Sequence, residues 1–141
     1  MKPSLQDLFA RTKLYSPIDR YVIIILRRDT QLGNLLQSLE AFSCVTYEED
    51  EVSLVLTQDL WTRYSSSHEG AKVAGPYRLI TFDLELDLDV CGYFATISRL
   101  LAEAGVSIIP ISTYLRDHIL VREADYEKAI GTLDRFLRDQ R

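Results

Sequence analysis

Hydrophobic and polar residues alternate between residues 77 and 88: Ile80, Phe82, Leu84, Leu86 and Leu88 are separated by Thr81, Asp83, Glu85 and Asp87. A period of two predicts a strand with one buried face and one wet face. The period then lengthens. Val90, Tyr93, Phe94, Ile97, Leu100, Leu101 and Ala104 recur at three and four, the stripe of an amphipathic helix. Asp89 stands where such a helix is capped, and Gly105 where it stops. Residues 107–114 and 118–122 read as β-rich runs joined by a short turn. Residues 124–140 are helical again, with Tyr126, Ala129, Ile130, Leu133, Phe136 and Leu137 on one side and Arg135 and Arg138 near the C-terminal end, where they complement the dipole. A single core is expected from Ile80, Phe82, Leu84, Phe94, Ile97, Leu101, Val121, Ile130, Leu133 and Leu137.

The earlier residues follow a similar but weaker order. Ser4 is placed to cap a short helix carrying Leu5, Leu8 and Phe9, ended by Ser16-Pro17. Residues 21–26 form an Ile-rich run that predicts a strand buried on both faces. Leu32, Leu35, Leu36 and Leu39 suggest a short helix. Residues 42–47 and 52–57 suggest a hairpin around Glu48-Glu49-Asp50-Glu51, an acidic run that reads as a solvated turn. Thr57 is placed to cap a helix holding Leu60, Trp61 and Tyr64. The Ser- and Gly-containing stretch from residue 65 to 76 reads as a linker.

Strand, helix, strand, strand, helix is the split βαβ, or ferredoxin-like, plan. The run Leu100-Leu101-Ala102-Glu103-Ala104-Gly105-Val106-Ser107-Ile108 resembles the helix-to-strand junction of ACT domains. Ile111-Ser112-Thr113-Tyr114, Asp117-His118-Ile119-Leu120-Val121 and Ala129 fit the same family. The resemblance implies an α+β chain of two ACT-type βαββα halves with antiparallel sheets. Residues 1–75 form a degenerate first half and residues 76–141 the second. It also implies binding of an amino acid or related metabolite, and regulation of the chain's own assembly or of a separate protein. A complete ACT domain has a fourth strand after its second helix. The second half reaches Arg141 without one, so its sheet is expected to borrow an edge from the first half or from another chain, or to leave an edge exposed to pairing.

The net charge of −5 is spread along the chain, and Arg27-Arg28 is the only basic pair. That balance argues against nucleic acid as the principal partner. The start lacks a signal-peptide apolar core, and no apolar run is long enough to cross a bilayer. Cys44 and Cys91 are expected to be reduced, and the cytoplasm is the expected location.

The candidate chemistry lies in Asp87-Leu88-Asp89-Val90-Cys91-Gly92-Tyr93, which joins the predicted strand to its helix. A helix N-terminus offers unpaired N–H groups and partial positive charge, suited to a carboxylate. Gly92 permits close approach to the backbone, and Asp87 or Asp89 would take an ammonium group. This loop corresponds to the ligand loop of amino-acid-binding ACT domains. The resemblance brings Ser112, Thr113 and Asp117 near the ligand or an inter-domain seam. The plainer alternative is that Asp89 only caps and Gly92 only allows tight packing. Ser112, Asp117 and His118 carry the groups of a catalytic triad, but no nucleophile elbow accompanies them. No nucleotide, zinc or redox motif occurs, and no cofactor is expected. The functional expectation is a non-enzymatic, amino-acid-binding regulatory module. The alternative is an adaptor that keeps the fold for dimerisation without a ligand.

Overall fold

The computed structural model describes residues 2–141. The chain divides into two compact units: a discontinuous one, made of the chain up to Ile18 with Arg78–Arg141, and an inserted one, Asp19–Tyr77. This differs from a cut after residue 75, because the N-terminal segment groups with the second half. Helix α1 (Leu5–Arg11) begins with Ser4 and Asp7 exchanging side-chain-to-backbone bonds, a capping box. It leads into β1 (Lys13–Tyr15). Strand β5 (Lys72–Asp83), which begins in the inserted unit, continues into this one. It is followed by α4 (Tyr93–Glu103), β6 (Ile108–Ser112), β7 (Asp117–Arg122) and α5 (Tyr126–Asp139). The strand order is β1-β5-β7-β6. β1 pairs antiparallel with the end of β5 in the register Lys13↔Asp83, Leu14↔Phe82 and Tyr15↔Thr81. The sheet position of a fourth ferredoxin-like strand is therefore filled from the front of the chain.

The core of this unit joins Ile80 and Phe82 of β5, Ile119 and Val121 of β7, Tyr93, Ile97 and Leu101 of α4, and Ala129, Leu133 and Leu137 of α5. Leu8 and Phe9 of α1 complete it. Of the expected core residues, Leu84, Phe94 and Ile130 are only half-buried. Tyr93 takes the place given to Phe94, with its ring stacked on Phe9 at 4.7 Å. Gly105 ends α4 as expected: at φ 77°, it lets the Val106 N–H reach Leu101 and the Gly105 N–H reach Ala102.

The inserted unit contains β2 (Arg20–Arg27), α2 (Gly33–Gln37), β3 (Cys44–Tyr47), β4 (Glu51–Thr57) and α3 (Gln58–Tyr64), followed by the first part of β5. β2 pairs antiparallel with β4, and β4 with β3. Val22, Ile24, Leu26, Leu54, Leu56, Leu60 and Trp61 pack in its core, and Thr57 caps α3. Ile25 is exposed, so β2 is not buried on both faces throughout. Nor is the predicted linker free of structure. β5 begins at Lys72, and Gly75 lies so near β2 that a β-carbon would sit 3.0 Å from the Tyr21 carbonyl oxygen.

Candidate functional site

β5 ends at Asp83, five residues before the alternating pattern does. Leu84 turns back, its N–H bonding to the Phe82 carbonyl, and the Leu86 N–H bonds to the Leu115 carbonyl. That second bond ties the loop after β5 to the turn between β6 and β7. The two segments and the start of α4 enclose a cavity of about 270 Å3. Asp87, Val90, Gly92, Tyr93, Ser112, Thr113 and Asp117 all line it. The β6–β7 register, with Ser112 opposite Asp117, brings the far wall together.

Asp89 and Cys91 lie elsewhere. They line a neighbouring cavity with Lys2, Leu5 and Arg11. Asp89 does not cap α4: it is exposed and 3.7 Å from the Lys2 amine. Cys91 is exposed and lies before the helix, not in its first turn. The capping position belongs to Gly92, at φ 92° and ψ −11°. An L-residue is strained at that φ, and a β-carbon would stand 3.3 Å from Leu5 Cδ1. The same glycine has no side chain to offer the helix. No side chain caps α4, so the N–H groups of Tyr93, Phe94 and Ala95 open the helix at the cavity wall.

The Tyr93 side chain turns away from the cavity into the core. Thr12 Oγ donates to the Leu8 carbonyl at 2.8 Å, so it accepts from the Tyr93 hydroxyl, also at 2.8 Å. Burial, only partly offset by this bond and reinforced by Asp117, pushes the Tyr93 pKa up to about 12.

Ser112 Oγ donates to the Asp117 carboxylate at 3.0 Å. His118 bonds to two threonines instead: Thr81 at Nδ1, 2.8 Å, and Thr113 at Nε2, 3.2 Å. Because Thr113 Oγ donates to the Arg116 carbonyl, it accepts from His118 Nε2–H, and His118 Nδ1 accepts from Thr81. The Ser112 hydroxyl donates to Asp117, and both ring nitrogens of His118 meet threonine hydroxyls, an arrangement different from the nucleophile–base link of a triad. Burial lowers the His118 pKa below 6.5; Asp117 opposes that shift and Arg116 adds to it.

This pKa shift gives a pH prediction. The unfolded chain takes up a proton on His118 near pH 6.5, and the folded chain does so only at lower pH. The contribution is present in full above 6.5 and is lost as pH falls through the folded value. Urea unfolding at pH 7 and pH 5.5 is expected to show a drop in stability that His118→Gln reduces. Equal drops in the two proteins would remove His118 as the source.

Arg116, which the sequence reading passed over, also lines the cavity. Its Nε meets Asp83 Oδ1 at 3.0 Å, and a terminal nitrogen lies 3.9 Å from Glu85. The mouth is apolar: Leu88 and Tyr114 are 72% and 75% exposed, and Leu115 is 40% exposed. Among the described residues, no helix is long and apolar enough to cross a membrane.

No curated protein matches the chain. Among solved structures it is similar to a protein of unknown function from Vibrio cholerae, described as a possible transport protein, at 26% identity and a TM-score of 0.75, covering 95% of this chain and 96% of that one. A protein from Agobacterium tumefaciens is similar at 25% identity and 0.73, covering 89% and 88%. The regulatory subunit of aspartate kinase from Thermus thermophilus shares the fold at 12% identity and 0.65, covering 88% and 97%. Residues 73–135, which run from within β5 into α5 and supply every wall of the 270 Å3 cavity, match the family model of the ACT domain.

Proposed function

We propose that the chain is an amino-acid-sensing regulatory module. The ligand's carboxylate meets the N–H groups of Tyr93, Phe94 and Ala95, and its ammonium group meets Asp87 and Asp117. One observation carries this reading: the side-chain-free start of α4 opens on an amino-acid-sized cavity that also holds two carboxylates. The ACT match over the same residues supports it, as does a fold shared with a regulatory subunit. Strand-helix-strand-strand-helix occurs in both units, which supports a tandem ACT-like origin with a degenerate first half. Ligand binding would alter the chain's own assembly or its hold on a separate protein.

The test is a thermal-shift screen of the purified chain against the common amino acids, followed by calorimetry. A ligand at about 100 times its Kd is expected to add about 2.7 kcal/mol of stability. Asp87 is exposed and Asp117 partly so. Their Asn variants are therefore expected to fold and to bind about tenfold or more weakly, roughly 1.4 kcal/mol. Absence of stabilisation by any amino acid would sink the proposal, as would unchanged affinity in both variants. The exposed apolar mouth favours a second reading, the ligand-free adaptor. Self-association without any amino-acid response would support it.

A further inference from the structure

We propose that the α4 cavity selects amino acids with an uncharged, apolar side chain and rejects dicarboxylic ones. The inference rests on the amino-acid reading above and adds the ligand's side-chain class. If the N–H groups of α4 and the two aspartates hold the α-carboxylate and ammonium, the side chain has the remaining surface to cover. That surface is apolar: half-buried Leu86 and Phe94 inside, and Leu88, Tyr114 and Leu115 at the mouth. Leu88 and Tyr114 are among the most exposed large hydrophobic residues of the molecule, and both border this one cavity. A side chain laid across them removes apolar surface from water on both partners.

Charge points the same way. Among the described residues, Arg116 is the only cation on the cavity wall, and its guanidinium is already engaged by Asp83 and Glu85. Among those residues, no other lining cation balances Asp87 and Asp117. A second carboxylate on the ligand would enter a negative field with no free partner. A terminal ammonium would feel attraction, but resting against Leu88 and Leu115 would cost it part of its hydration. The volume of about 270 Å3 lies just below the range of about 300–1,000 Å3 usual for drug-sized ligands, as suits a single amino acid.

Calorimetry on the full chain with leucine, glycine, lysine and aspartate tests the proposal, alongside Leu88→Ser and Tyr114→Ser. Both replaced side chains are exposed, so the variants are expected to fold. Leucine is expected to bind at least about tenfold more tightly than glycine or lysine, and aspartate not to saturate. Each mouth variant is expected to weaken leucine by about three- to tenfold and leave glycine unchanged. Aspartate or lysine binding as tightly as leucine would overturn the selectivity while leaving the amino-acid site standing. Unchanged leucine affinity in both mouth variants would also overturn it, and would assign the apolar mouth to contact with another protein. Failure of leucine to bind would overturn this inference; the amino-acid reading beneath it falls only if the full thermal-shift screen also finds no ligand.

Discussion

A chain lacking residues 1–18 is expected to lose cooperative folding of the segment from Arg78 to Arg141. Those residues supply β1, which covers the end of β5, and they bury Leu8 and Phe9 in the core. Phe9 stacks on Tyr93 at 4.7 Å and meets Phe136 edge-on at 5.1 Å. Thr12, wholly buried, holds the Tyr93 hydroxyl, and its carbonyl accepts from Arg141 at 2.9 Å. Emptying a buried Leu or Phe site costs about 2–5 kcal/mol each. Two such losses rival a domain's whole stability of about 5–15 kcal/mol. The uncovered edge of β5 would also invite pairing with other chains. Near-UV circular dichroism and size-exclusion chromatography decide the matter: a monomeric chain lacking residues 1–18 with fixed tertiary signals would show that α1 and β1 are dispensable.

Phe82→Ala is expected to cost about 3–5 kcal/mol, whereas Phe94→Ala costs about 1–2 kcal/mol. Phe82 is 0% exposed, packs edge-on against Tyr93 at 6.4 Å and sits opposite Leu14 of β1. Phe94 is one residue off the buried stripe of α4, half-buried at the cavity wall. Its removal should therefore show more clearly in ligand affinity than in stability. Urea unfolding of both variants measures the difference; equal losses would restore Phe94 to the core.

These two phenylalanines show what the sequence makes legible. Helices α4 and α5 are readable because their signals are local: a repeat of three and four, and a glycine ending α4 with the bonds its position demands. The caps at Ser4 and Thr57 are local as well. The start of α4 is harder, since Asp89 before an apolar run looks like a cap. The left-handed turn at Gly92 moves the helix start to Tyr93 and shifts the buried face by one residue. β1 has three residues and no pattern of its own; only its distant partner makes it a strand. The alternation of residues 84–88 continues after pairing has stopped, because Leu84 and Leu86 still pack against the core while Leu86 and Leu88 line the cavity. Within the site, the βα loop was readable from its glycine and aspartates. The union of that loop with Ser112, Thr113 and Asp117 depends on strand register, and Arg116 carries no local mark.

The position of β1 also sets the order in which the chain finds its structure. Joining Lys13 to Asp83 closes a loop of about seventy residues, a long-range pairing that is slow to form. On a ribosome, Asp19–Tyr77 emerges as a continuous stretch with its own buried cluster before α4 and α5 have been made. Leu8 and Phe9 are made well before Leu133, Phe136 and Leu137, the part of their core that α5 supplies. Throughout that interval the apolar side chains of α1 lack the α5 surface that buries them, so this segment completes its packing only after α5 has been made.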